Sequence, residues 1–123
     1  MIEGTVTSRL EAIVPLKIHG PVSGNSTSVA AVVDTGFDDF LTLPVEEIAS
    51  LALVPKVSLP VQLADGSIVG TLFFEAEVDW HEARVAVSVQ LAPGSPLLGM
   101  RLMEGSCLTI SVHEDGPVVI EEE

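Results

Sequence analysis

AVVDTGFDDF, residues 30–39, is the stretch on which the fold turns. An apolar run reaches a carboxylate, Asp34, passes through Thr35 and Gly36, and continues into Phe37 and two further acids. An ordinary side-chain-bonded turn after a strand accounts for this at little cost. A carboxylate held rigidly at a strand end is also what acid–base chemistry requires. The surrounding chain has to choose between these readings.

Strand signals lie on both sides of it. Residues 10–18, 28–33, 57–63, 67–79, 83–91 and 107–113 are β-branched or apolar runs, several with an alternation of period two. In ARVAVSVQL the valines at 85, 87 and 89 share one face, which describes a half-buried strand. Turn residues separate the runs, and Asp65-Gly66 between VQLA and SIVG is the clearest hairpin signal. Residues 57–75 are therefore expected to form a protruding hairpin, with Pro60 and Gly70 placing it at an edge. Helix is scarce: a two-turn helix is expected from Pro44 to Leu51, with a second short one beginning near Gly99.

Composition narrows the classes. At 123 residues and 47% apolar the chain is long enough for one domain with a buried core. Eighteen acidic residues against five basic ones give a formal charge of −13, which repels phosphate backbones and makes nucleic acid an unsuitable partner. The same charge is expected to weaken self-association at neutral pH and ease it in mild acid. No run approaches the ~18 uninterrupted apolar residues of a spanning helix, and the N-terminus lacks the pattern of a secretory signal, so no membrane role and a cytoplasmic location are expected. The single cysteine, Cys107, cannot form an internal disulfide and reads as a small buried residue of a strand. His19, His81 and His113 lack metal-ligand spacing and read as surface or turn residues. The tail Glu121-Glu122-Glu123 reads as a frayed, solvated end.

Taken in order, Val33-Asp34-Thr35-Gly36 after a buried strand, the ADGS hairpin at 64–67, and Leu97-Leu98-Gly99-Met100 before a short helix resemble the retropepsin-like aspartic peptidases, in particular their small bacterial members with a DTGF motif. The resemblance covers residues 10–112 and implies an all-β fold across residues 1–123, a closed or partly open acid-protease half-barrel with one or two short helices, working as a homodimer on a peptide or protein substrate. It implies that Asp34 is the catalytic acid, that the Thr35 hydroxyl ties two active-site loops together across the dimer, and that Gly36 lets the backbone turn beneath the carboxylate. The hairpin at 57–75 resembles a flap closing over substrate. Phe37, Ala64, Asp65, Gly66, Ser67 and Leu98 are the expected substrate-side residues. Neither a metal nor another cofactor is implied.

The chemistry is consistent with that resemblance on its own terms. Hydrolysis without a metal or covalent intermediate needs one group to activate water and another to protonate the leaving nitrogen. Two carboxylates ~3 Å apart supply both, because like charges that close share one proton. This chain has a single DTG, so the second carboxylate must come from another copy.

The chain also departs from the family pattern. Phe37 is bulky where retroviral members carry a small residue, Asp38 and Asp39 add charge beside the acid, and Arg101 stands where related segments carry aspartate or asparagine. Two other classes compete: a non-catalytic binding or assembly module that keeps the fold without productive dimerisation, and an acidic metal site using Asp34, Asp38 and Asp39.

Overall fold

The apolar run before Asp34 is a strand, and its neighbours close around it. The computed structural model describes the backbone of residues 1–123 and all side chains except those of Val57, Ser58, Leu59, Val61, Ile68, Val69 and Thr71, so side-chain alternation expected along 57–63 lies partly outside the described residues. In chain order the elements are β1 (Ile2–Val6), β2 (Ala12–His19), β3 (Ser26–Val33), β4 (Leu41–Leu43), α1 (Val45–Ser50), β5 (Pro55–Gln62), β6 (Ile68–Trp80), β7 (Ala83–Leu91), β8 (Leu97–Leu98), α2 (Met100–Met103), β9 (Ser106–Ile110) and β10 (Pro117–Glu122).

The strands form one sheet in the order β5-β6-β7-β4-β8-β3-β2-β1-β10-β9. A further pairing of β2 with β6, at Ile18↔Val78 and His19↔Glu77, closes its central six strands into a barrel. Most ladders are antiparallel, but β3 runs parallel to β8 and β4 parallel to β7. This is the expected all-β class with two short helices. Inside lie Val14, Ile18, Leu41, Leu43, Val78, Val89, Leu98, Val118 and Ile120, all essentially removed from water. Each such aliphatic side chain contributes roughly 2 kcal/mol by burial.

The alternation in β7 behaves as its sequence suggests, with Val87 and Val89 buried and Arg84 and Ala86 exposed. The turn after β5 is held by Leu63 N–H donating to the Ser67 carbonyl and Gly66 N–H donating to the Leu63 carbonyl. Of the Asp-Gly pair only Gly66 takes a positive φ, +88°. That is a three-residue loop in which glycine supplies the left-handed position. β5 is an outer strand, where Pro60, opposite Gly70, costs no ladder bond on its open side.

Several expectations need correction. β1, β4, β8 and β10 are short or interrupted by charge and turn residues, and periodicity does not reveal them. Leu10 and Glu11 belong to the β1–β2 turn, and the run at 107–113 ends as a strand at Ile110. His19 is buried, 7% exposed, with Nε2 2.8 Å from Asp79 Oδ1 at the seam that closes the barrel. It is a pinned interior residue because β2 meets β6 there. Cys107 is exposed, since the face of β9 that it shares with Thr109 points outward. Glu121 and Glu122 have solvated side chains but are not frayed: their backbones pair with Cys107 and Ser106, and Glu123 N–H donates to the Gly105 carbonyl. Among the described residues, no helix is long and apolar enough to cross a membrane.

Candidate active site

β3 delivers Asp34 to one end of the barrel, and the loop that follows is fastened to the segment around β8. Val32 and Val33 pair with Leu97 and Leu98, while Leu41 pairs with Leu98 from the other side, so β8 is wedged between the strand entering the loop and the strand leaving it. Asp34 N–H donates to the Leu98 carbonyl (3.0 Å), Met100 N–H to the Phe37 carbonyl (2.8 Å), Gly99 N–H to the Phe40 carbonyl (3.0 Å) and Arg101 N–H to the Asp39 carbonyl (3.2 Å). Thr42, buried in β4, accepts the Leu97 N–H on its hydroxyl at 2.9 Å. The loop's course is thus fixed by bonds to residues far along the chain.

Within the loop, the Asp34 carboxylate is half-buried and its Oδ1 accepts the Gly36 N–H at 2.9 Å. This bond orients the carboxylate. Thr35 is exposed, and its hydroxyl makes no hydrogen bond among the described residues. Gly36 is also exposed; a Cβ there would meet Asp34 Oδ1 at 3.3 Å and nothing else within 4 Å. The steric demand at Gly36 is therefore a demand of the carboxylate, milder than the crowded turn expected from sequence.

The strict glycine is Gly99. A Cβ on it would fall on the Asp39 carbonyl and lie 2.7 Å from the Phe37 ring. Half-buried Phe37 therefore packs at the Gly99 side of the loop. Leu98 is fully buried, so within one chain its side chain supports the loop and its carbonyl receives the Asp34 N–H; it does not line an open groove.

The acids after Phe37 do not converge with Asp34 on a common ion. Asp39 Oδ1 accepts the N–H of Phe40 at 2.8 Å, Asp38 is exposed, and no cluster of three or more potential ligands occurs among the described residues. Arg101 is exposed, with its guanidinium carbon 6.0 Å from the Phe40 ring centroid. Ala64, Asp65, Gly66 and Ser67 form the exposed hairpin turn, with Asp65 Oδ1 accepting from the Ser67 N–H (2.9 Å) and hydroxyl (2.6 Å). The structure therefore brings Asp34, Gly36, Phe37 and Leu98 into one hydrogen-bonded or packed unit, whereas residues 64–67 stand on a separate arm. Sequence reasoning missed Thr42, whose only signal was a hydroxyl inside the apolar triplet LTL.

No protein-family model and no curated protein sequence matches the chain. Solved structures do. The fold is similar to that of the EIAV protease complexed with the inhibitor HBY-793, with a TM-score of 0.57 and 15% identity over 76% of this chain and 86% of that one. It is also similar to a retropepsin-like aspartic protease from Rickettsia conorii, with a TM-score of 0.53 and 14% identity over 97% of this chain and 89% of that one. The chain therefore has the retropepsin-like fold.

Proposed function

We propose that the chain is an aspartic-type endopeptidase that works as a homodimer, with Asp34 of each copy flanking one water molecule. The observation that carries this reading is the placement of Asp34: at the end of a buried strand, on a loop tied crosswise to β8, with its carboxylate oriented by the Gly36 N–H. One carboxylate of the pair is ionised and takes a proton from water as the oxygen attacks the peptide carbonyl. The other is protonated and gives its proton to the departing nitrogen. The two titrations belong to the pair, so activity is expected to peak in acid.

Thr35, exposed and unpartnered among the described residues, is available for a bond to the second copy. The arm formed by β5 and the outer half of β6 serves as the flap. Inward from Phe73, β6 also pairs with β7; beyond it, from Leu72 to the turn, β6 pairs with β5 alone. A substrate peptide in extended form would lie between this arm and the Asp34 loop, its backbone bonded as an added strand.

Incubating the protein with a denatured protein substrate across pH 3–8 tests the reading. Cleavage should peak in acid, and Asp34→Asn should lower it by about a hundredfold or more. Equal cleavage by Asp34→Asn at every pH would overturn the assignment.

A further inference from the structure

The turn between β6 and β7 is made of residues that do not suit it. His81 and Glu82 both take positive φ, +48° and +64°, in a two-residue turn that Asn-Gly forms with less strain. Strain of this kind is retained where the side chains are in use. The His81 ring stands edge-on to Trp80, with 5.1 Å between centroids and 62° between planes, and its Nε2 lies 2.8 Å from the Ser106 hydroxyl. The turn is thereby fastened to the start of β9, and both line a cavity of about 480 Å³.

That volume falls within the range of roughly 300–1,000 Å³ typical of small-molecule pockets, which pair an apolar wall with a few polar groups. Phe40, Trp80, Val85 and Leu102 supply the apolar wall here. Trp80 is only 7% exposed, and its indole N–H, not sealed from solvent, donates to no group among the described residues. A buried indole ordinarily finds an acceptor. The remaining lining carries charges of both signs: Arg101, and with it Glu104, Glu122 and Glu123. All four are exposed, and none is ion-paired among the described residues. A bare anion in the cavity is repelled by three carboxylates, and a bare cation leaves the guanidinium and the indole N–H without an acceptor. A molecule carrying both charges answers each.

We infer that this cavity binds a small zwitterion of amino-acid or dipeptide size with branched or aromatic side chains. Its carboxylate accepts from Arg101 and the Trp80 N–H, its ammonium lies among the glutamates, and its side chains rest on Phe40, Val85 and Leu102. The cavity is separate from Asp34 yet touches what holds the Asp34 loop, since Phe40 and Arg101 are bonded through their backbones to Gly99 and Asp39. Cleaving a peptide bond frees one ammonium and one carboxylate, so molecules of this kind are end products of the proposed peptidase; the binding site itself stands without that reading.

Trp80 is the only tryptophan of the chain, so its fluorescence reports on the cavity directly. Titrated with leucyl-leucine at neutral pH, the parent is expected to give a saturable change with a millimolar or lower dissociation constant. The N-acetylated and C-amidated forms of the dipeptide should bind at least tenfold more weakly. Arg101→Gln should weaken the zwitterion at least tenfold and leave the amidated form unaffected. Glu104→Gln/Glu122→Gln/Glu123→Gln should weaken it likewise and leave the acetylated form unaffected. Amide shifts by NMR should centre on Gly105 and Ser106, and Asp34→Asn should bind as the parent does. No saturable change in either signal at tens of millimolar, equal binding of the blocked forms, indifference to either charge-removing variant, shifts centred elsewhere, or loss of binding in Asp34→Asn each overturns the inference. Saturable binding in a protein that cleaves no peptide would uphold this site and sink the peptidase reading. Peptidase activity in a protein whose Trp80 and amide signals ignore the dipeptide would do the reverse.

Discussion

The loop bearing Asp34 and the turn at the tip of the hairpin are both short connections after strands, yet they are secured in opposite ways. Residues 34–40 are bonded to residues 98–101, about sixty positions away in the chain, and cannot shift without breaking that set. Residues 63–67 are held by bonds within the turn itself, at the end of a two-stranded arm. The order of the loop therefore depends on the barrel as a whole, and that of the turn on its own residues. In the proposed peptidase the loop is the floor that positions the acid and the arm is the cover over the peptide.

The comparison breaks most severely at Gly99. Gly99→Ala puts a methyl group against the Asp39 carbonyl and the Phe37 ring, and is expected to cost about 3 kcal/mol, read as a lower urea midpoint. Loss of less than 1 kcal/mol would mean that the loop yields easily and that the floor is not rigid. Thr42→Val probes the same floor from the opposite strand. It keeps the volume but leaves the Leu97 N–H without its partner, for an expected loss of about 2 kcal/mol. A neutral outcome would show that β8 does not depend on that bond.

This contrast also explains how much could be read from the chain alone. The hairpin was legible because its turn is local: Asp65-Gly66 between alternating runs specifies a loop within five residues. The strand leading to Asp34 was legible for the same reason. What fixes Asp34 was not, because Thr42, Gly99 and the β8 carbonyls act across long sequence separations through backbone atoms that carry no residue signature. β8 has only two residues, too few to show a period; β1 is interrupted by Glu3 and β10 ends in Glu121 and Glu122, acids whose side chains are solvated while their backbones pair. His19 was misplaced because its burial depends on where β2 crosses β6, which no local pattern contains. Leu98 was expected on the substrate side from its motif alone; the side chain faces the core and the backbone does the supporting.

At the cover, a smaller effect is expected. Gly66→Ala forces alanine to φ +88° in open space, with strain of about 1 kcal/mol and no clash. Because the turn is held locally, that cost should appear as faster amide exchange at Leu63 and Gly66, whose bonds define it, with the global unfolding midpoint nearly unchanged. A midpoint shift as large as that of Gly99→Ala would erase the distinction between floor and cover.

The least costly perturbation is a proton on Asp65. Its carboxyl lies below the ordinary aspartate range, because the Ser67 hydroxyl, and after it the Ser67 N–H, donate to the ionised form. A depressed folded value means that the stabilisation is present above the ordinary carboxylate value and is lost only as pH falls through the lower, folded one. The turn should therefore stay closed into mild acid, where a carboxylate pair sharing one proton is expected to work. Titrating the Ser67 amide shift by NMR should give a midpoint below that of an unstructured aspartate, and the transition should vanish in Asp65→Asn. A midpoint at or above the ordinary value would mean that the cover loosens in the acid range in which the proposed peptidase is expected to work. Cover and floor would then be tuned to different conditions.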